Sequence, residues 1–243
     1  MCTVTFIPQG NHFFLTSNRD EQSTRGHALA PKKIQVNGFE LIYPKDADAG
    51  GTWIATKNTG EVIVLLNGGF DKHEPKPPYK KSRGIVLLDI FTKIEPLQAL
   101  ETEDLNNIEP FTIVYCRNQL LVEFRWDGLA KHFKKLNCTI PHIWTSVTLY
   151  EPAIVKKRQI WFNEWLLSKS NPELKDILDF HLYAGEGNAA IDINMNRNNE
   201  LFTVSISSIF MGEKQVEFTY FDLINNKSYK ESLSRKSDNY QLS

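Results

Sequence analysis

MCTVTFIPQGNHFFLTSNRDE, residues 1–21, reads as a β-hairpin that ends in a charged quartet. Cys2–Ile7 and His12–Ser17 alternate and are rich in β-formers, and Pro8-Gln9-Gly10-Asn11 between them is turn chemistry. A hairpin symmetric about that four-residue turn sets Cys2 beside Ser17. Asn18, Arg19, Asp20 and Glu21 then leave the second strand at the edge where Cys2 begins. Removal of Met1 before a residue as small as Cys2 leaves a thiol and a free α-amine on one residue. The thiolate is the attacking form of a side chain whose ordinary pKa is about 8.5. An α-amine titrates at about 7.7–8.0 and is a suitable base for it near neutral pH. Arg19 would stabilise the thiolate and pair with Asp20 or with a substrate carboxylate.

Further along, Ala28–Lys33 carries the chain away from this quartet and Phe39–Tyr43 reads as a strand. Asp46–Gly51 reads as a flexible turn into Thr52–Ala55, and its two carboxylates alone are a weak basis for a cation site. Trp53 suits two places equally, a pocket wall or the core. Glu61–Leu66 is apolar enough for a central strand. It ends at Asn67-Gly68-Gly69, where an amide donor next to glycines is suited to polarising an oxyanion. The Pro- and Lys-rich Asp71–Lys81 forms an exposed loop near the pocket mouth. Ser82 then caps a helix to about Thr92, and Pro96 starts a second one to about Asn107. A meander of Phe111–Cys116, Gln119–Trp126 and Ala130–Phe133 follows, then a strand over His142–Leu149. Helices over Ala153–Ser168 and from Asn171-Pro172 to about His181 make a second helical layer. Strands near Ala189–Met195, Leu201–Phe210 and Gln215–Leu223 precede a polar tail. The expected organisation is one domain over residues 2–229 with a tail over 230–243.

Composition restricts the function. The 243 residues are 41% hydrophobic with a net charge of −1, which gives no electrostatic case for nucleic acid or an anionic membrane surface. No apolar run is long enough to span a bilayer, and Cys2, Cys116 and Cys138 make no metal-ligand spacing. The expectation is a soluble cytoplasmic protein without metal or cofactor, and with Cys116 as a buried core thiol.

The pairing of MCTVTF with TSNRDE resembles the NRDE family, the transport and Golgi organisation proteins. GGTW at Gly50–Trp53, LLNGG at Leu65–Gly69 and SRG at Ser82–Gly84 extend the resemblance. That family resembles N-terminal nucleophile hydrolases of the choloylglycine hydrolase and penicillin acylase type. The resemblance implies an α+β fold, a four-layer αββα sandwich of two stacked, mainly antiparallel sheets between helix layers. It implies Cys2 as nucleophile, Arg19 and Asp20 as the residues orienting it, and Asn67 as an oxyanion donor. Asn18, Glu21, Trp53 and Ser146 are the candidate substrate-binding residues. Two features of the hydrolases are replaced: a second Asn after the mid-chain strand, where this chain has Ile143–Thr148, and a late Arg, where it has Leu201–Ser208. Thr145, Ser146 and Ser205 are the hydrogen-bond donors available there.

Two functions from different classes follow. One is a cysteine hydrolase cleaving a linear, non-peptide amide. The other is a catalytically reduced small-molecule carrier, for haem or a lipid-derived ligand, with His12, His27, His73 and His142 as weak haem-facing candidates. A protein-interaction module has no feature of its own in the sequence.

Overall fold

The structure is a computed structural model that describes residues 3–236. Cys2 lies outside the described residues. The hairpin pairs β1 (Thr3–Gln9) with β2 (His12–Gln22). Its turn is tighter than the sequence suggested: Gln9 pairs with His12, leaving only Gly10 and Asn11 at the tip, with Gly10 at φ +61°. Thr3 therefore lies opposite Asn18, and Val4, not Cys2, lies opposite Ser17. The correction is a shift of two residues, which preserves which face each side chain takes.

The remaining strands are β3 (Leu29–Val36), β4 (Phe39–Lys45), β5 (Ile54–Lys57), β6 (Glu61–Asn67), β7 (Phe111–Arg117), β8 (Leu120–Trp126) and β9 (Lys131–Leu136). They are followed by β10 (His142–Thr145), β11 (Asn196–Arg197), β12 (Leu201–Met211), β13 (Gln215–Asp222) and β14 (Lys227–Ser234). Four helices complete the described residues: α1 (Arg83–Phe91), α2 (Pro96–Thr102), α3 (Pro152–Ser168) and α4 (Leu174–Tyr183). One sheet runs β10-β1-β2-β12-β13-β14, with β11 on β12, and the other runs in chain order from β3 to β9. All pairings are antiparallel.

The pleat explains the layers. Along β1 and β2, Val4, Phe6, Phe13 and Leu15 join the core between the sheets, while Ile7 and Phe14 pack with Phe162, Ile177 and Phe180 of α3 and α4. Helix α1 buries Val86, Leu87, Ile90 and Phe91 in the main core beside β6. The result is the expected αββα sandwich. Ser82 caps α1 as expected, its hydroxyl accepting from the Ile85 N–H at 3.3 Å.

Several boundaries differ. Helix α2 stops at Thr102, short of Asn107, because the chain turns to bury Leu105 and Ile108. Strand β10 stops at Thr145, four residues short of Leu149, where Ser146 turns to bond the end of β6. Residues 189–195 form turns instead of a strand, and the carbonyls of Ile191 and Asp192 bond Arg158. The polar stretch from Lys230 is not all tail: β14 continues to Ser234 on β13 with Leu233 buried, its exposed polar residues being the solvent side of an edge strand.

Candidate active site

The NRDE quartet lies on one strand, so its members divide between two faces. Arg19 points between the sheets: its guanidinium lies over the Trp53 ring at 4.6 Å, and Nη2 donates to Asp46 at 2.9 Å and Glu21 at 3.2 Å. Nε and Nη1 have no hydrogen bond among the described residues. Asn18 and Asp20 point the other way, beneath α3 and α4. Asp20 accepts from Thr203 Oγ1 at 2.6 Å and from the Tyr150 hydroxyl at 3.2 Å. The expected Arg19–Asp20 pair is therefore corrected to Arg19–Asp46 and Arg19–Glu21, because neighbours along a strand cannot share a face.

Asn18 is also corrected, from substrate contact to internal brace. It is fully buried, and Nδ2 donates to the carbonyls of Ile193 at 3.0 Å and His181 at 3.2 Å. Its remaining oxygen must then accept from His181 Nδ1 at 2.5 Å, which leaves His181 Nε2 to accept from the Thr5 hydroxyl at 2.8 Å. Burial, with Arg158 nearby, lowers the His181 pKa to about 3, so the ring is neutral in the fold. Once unfolded it protonates below its ordinary value of about 6.5. From pH 6.5 downward the unfolded state therefore binds the extra proton, and stability falls with pH by up to about 1.4 kcal/mol per unit until pH approaches 3. Urea midpoints at pH 7 and 5 should show this loss. His181→Asn should flatten that dependence even though it lowers stability at pH 7.

Asp46 is the residue whose importance the sequence hid. The Asp46–Gly51 segment is not a loose turn. The Asp46 carboxylate accepts from the Asp48 and Ala49 N–H groups and pairs with both Arg19 and Arg25. Burial alone would raise its pKa, but the Ala49 N–H and the two arginines outweigh that and hold the group below the usual carboxylate range.

The short glycine motifs meet in space. A Cβ on Gly51 would meet the Gly84 carbonyl carbon at 2.4 Å, and one on Gly84 would meet Thr52 O at 2.7 Å. GGTW and SRG are thus two sides of one contact, closed by the Thr52 N–H donating to Gly84 O at 3.3 Å, and only glycines fit it. It brings the start of α1 against Trp53.

The Asn67-Gly68-Gly69 segment is fastened at each carbonyl. Ser146 Oγ donates to Asn67 O at 2.9 Å, Thr112 Oγ1 to Gly68 O at 2.8 Å, and Arg125 Nη1 to Gly69 O at 2.7 Å. Gly68, at φ +86°, sits against Val147, whose Cγ2 a Cβ would meet at 2.6 Å. Ser146 is buried and holds the Asn67 backbone, so its expected place at the substrate is corrected to one behind Asn67.

These contacts surround a cavity of about 560 Å³ between the sheets. Arg19, Glu21, Trp53 and Asn67 line it, with Asp46 and Arg83. Trp53 is thus both core and wall, 4% exposed. Arg83, which pairs with Glu109 at 3.0 Å, had no signal in the sequence beyond its place in SRG. Thr145 pairs with Thr3, and Ser205 lies across from Arg19 in β12. The histidines are dispersed: His12 stacks on Phe210, His73 bonds Glu109, His142 bonds Asn137 O, and His27 is exposed. Among the described residues no group of three or more His, Cys, Asp or Glu is placed to hold a metal ion, and no helix is long and apolar enough to cross a membrane.

Two stacked antiparallel sheets between helix pairs, with a cavity near the start of the first strand, define an N-terminal nucleophile hydrolase-like fold. The chain aligns with an N-acylethanolamine-hydrolyzing acid amidase ortholog of Caenorhabditis elegans at TM-score 0.59 and 14% identity, over 86% of this chain and 92% of that one. It aligns with a C2A mutant of the conjugated bile acid hydrolase of Clostridium perfringens at TM-score 0.60 and 12% identity, over 98% and 97%. A second variant of that hydrolase gives TM-score 0.55 and 11% identity. At these identities the likeness is one of fold. Among curated protein sequences none matches. The family model described as Transport and Golgi organisation 2 matches residues 1–138, more than half the chain, and the protein belongs to that family.

Proposed function

We propose that the protein is an N-terminal cysteine amidohydrolase acting on a linear, non-peptide C–N amide bond. Loss of Met1 frees the Cys2 α-amine, which takes the thiol proton as the sulfur attacks the carbonyl carbon. The carbonyl oxygen becomes an oxyanion held by Asn67 Nδ2 and a backbone N–H. Collapse breaks the C–N bond, the amine leaves with the proton, and water then hydrolyses the thioester to a carboxylic acid and the free thiol. Arg19 supplies positive charge on the cavity side of the strand paired with β1, and Asp20 braces that strand from behind.

The observation that carries this reading is the meeting of Arg19, Trp53 and Asn67 in one cavity between the sheets. Consecutive Cα atoms are about 3.8 Å apart, so Cys2 is tied to the β1 end beside that strand. The carrier reading has no comparable support, since the four histidines do not converge.

Intact-mass analysis tests the nucleophile directly. Incubation with limiting iodoacetamide below pH 8 should give a protein lacking Met1 with one adduct on Cys2. Cys116, whose pKa burial pushes up, should stay unmodified. Retention of Met1, or first labelling at Cys138, would sink the proposal.

A further inference from the structure

Three buried side-chain atoms between the sheets have no hydrogen-bond partner among the described residues: Trp53 Nε1, Ser205 Oγ and Ser207 Oγ. Native folds leave few buried polar groups unsatisfied, so a cluster of them needs a cause. The strand register gathers these into one place. Ser205 lies across from Arg19 of β2, while Ser207 lies across from Ser17 of β2 on one side and Tyr220 of β13 on the other. Residues directly opposite in a ladder share a face. Ile209 and Met211, further along the same alternation of β12, belong to the core between the sheets. Both hydroxyls therefore point between the sheets, beside Arg19. Trp53, leading into β5 of the other sheet, closes the spot: its ring centre lies 4.6 Å from the Arg19 guanidinium carbon and 6.5 Å from that of Tyr220. The Tyr220 hydroxyl comes near Ser205 without completing a hydrogen bond. Arg19, Trp53, Ser205 and Ser207 are each at most 4% exposed.

The unused valences fit a molecule of water. Trp53 Nε1 can only donate. So can Arg19 Nε and Nη1, since Nη2 makes both carboxylate contacts. Each seryl oxygen can accept. A water that accepts from Trp53 and Arg19 and donates to Ser205 and Ser207 uses both its lone pairs and both its protons, as buried waters do at polar sites. An anion fits less well. Arg19 already shares its charge with Glu21 and Asp46, and Asp46 is shared in turn with Arg25, so no net positive charge is left to hold one. The two serines do not line the large cavity, which places this water behind Arg19, away from any substrate.

We infer that Ser205 and Ser207 position the Arg19 guanidinium through one buried water that also bonds Trp53. Without it the guanidinium is held by Nη2 and by the face of Trp53 alone, and the carboxylates of Glu21 and Asp46 draw it toward themselves. Closer pairing screens its charge. The inference rests on the amidohydrolase reading only for the statement that this charge acts on the Cys2 thiol. The water and its ligands stand apart from that reading.

A crystal structure of the full chain should show a solvent peak within hydrogen-bond reach of Ser205 Oγ, Ser207 Oγ, Trp53 Nε1 and one Arg19 nitrogen. A dry site, or a peak that bromide replaces on soaking, would overturn the inference. The functional arm compares Ser207→Val with Ser207→Thr, which add the same bulk and differ in the hydroxyl. Alkylation of Cys2 by limiting iodoacetamide near pH 7, read by intact mass, should be at least about twofold slower in the valine variant, a part of the roughly tenfold or more that a nearby guanidinium contributes. Equal rates would overturn the positioning role. Ser205→Ala removes one acceptor without adding bulk, so it serves where the larger side chains do not fold. It too should slow the alkylation, and an unchanged rate would count against the role. If Cys2 of the wild type does not react, the amidohydrolase reading fails by itself. The inference is then decided by Arg19 in the crystal structure of Ser207→Val or Ser205→Ala: its guanidinium should have moved toward Glu21 or Asp46, and one that stays in place would overturn it.

Discussion

Cys2→Ser is expected to lower turnover of an N-acyl amide by a thousandfold or more, on the order seen when a nucleophile is removed elsewhere, while leaving substrate affinity nearly unchanged. A serine hydroxyl is far less acidic than a thiol, so in a site built around sulfur the α-amine activates it less, and the variant keeps the shape but attacks slowly. The sulfur acts in the chemical step, and an interaction made only there lowers kcat without raising KM. Asn67→Ala should show the same pattern at a smaller scale, roughly ten- to a thousandfold, as one oxyanion donor lost. The fastenings of Asn67 O, Gly68 O and Gly69 O do not involve the Asn67 side chain, so the turn should hold its form in that variant. The measurement is kcat and KM for wild type, Cys2→Ser and Asn67→Ala on a panel of amides and lactones, with haem titrated separately. Equal rates for wild type and Cys2→Ser, together with saturable haem binding, would defeat the hydrolase and favour the carrier.

The fold was legible where short-range signals decide it, and the site only in part. Alternation on both sides of a turn located the hairpin, and Ser82 and Pro96 located the starts of the first two helices. The register was off because Pro8 and Gln9 look like turn residues but continue the strand, pairing with Phe13 and His12. Asn18 and Asp20 read as site residues because they sit beside Arg19 in sequence. Alternation on a strand carries them to the far face, where the helices cover them. Asp46 and Arg83 reach the cavity through long-range pairing, which no local pattern encodes. Strand β14 read as tail because an edge strand with one wet face has the composition of a loop.

Arg158 shows most clearly what the sequence concealed, and it yields the largest stability prediction. No sequence signal marked it, yet it is fully buried, one turn before Phe162. Nη1 donates to Thr3 Oγ1 at 2.6 Å, Nε and Nη2 donate to Ile191 O, and Nη2 donates to Asp192 O at 2.6 Å. The guanidinium carbon lies 3.7 Å from the centre of the Tyr150 ring. Among the described residues no carboxylate pairs with it. Two effects oppose each other on Arg158→Met. The variant relieves the desolvation of a cation that cannot shed its proton, which favours the fold. It also takes the donor from a buried hydroxyl and two partly buried backbone carbonyls, at about 1–3 kcal/mol for each that water does not reach. The carbonyls and the ring already solvate the cation much as water would, so the lost bonds should dominate. Arg158→Met is expected to be less stable by about 2–4 kcal/mol, read as a lower urea midpoint at unchanged slope. Because Thr3 is the residue that follows Cys2, the same variant should also loosen the start of β1 and lower kcat more than it raises KM. A stability change under about 0.5 kcal/mol, the range of ordinary surface substitutions, would show that relief of the buried charge offsets the bonds. Arg158 would then be a dispensable brace, not the anchor of the first strand.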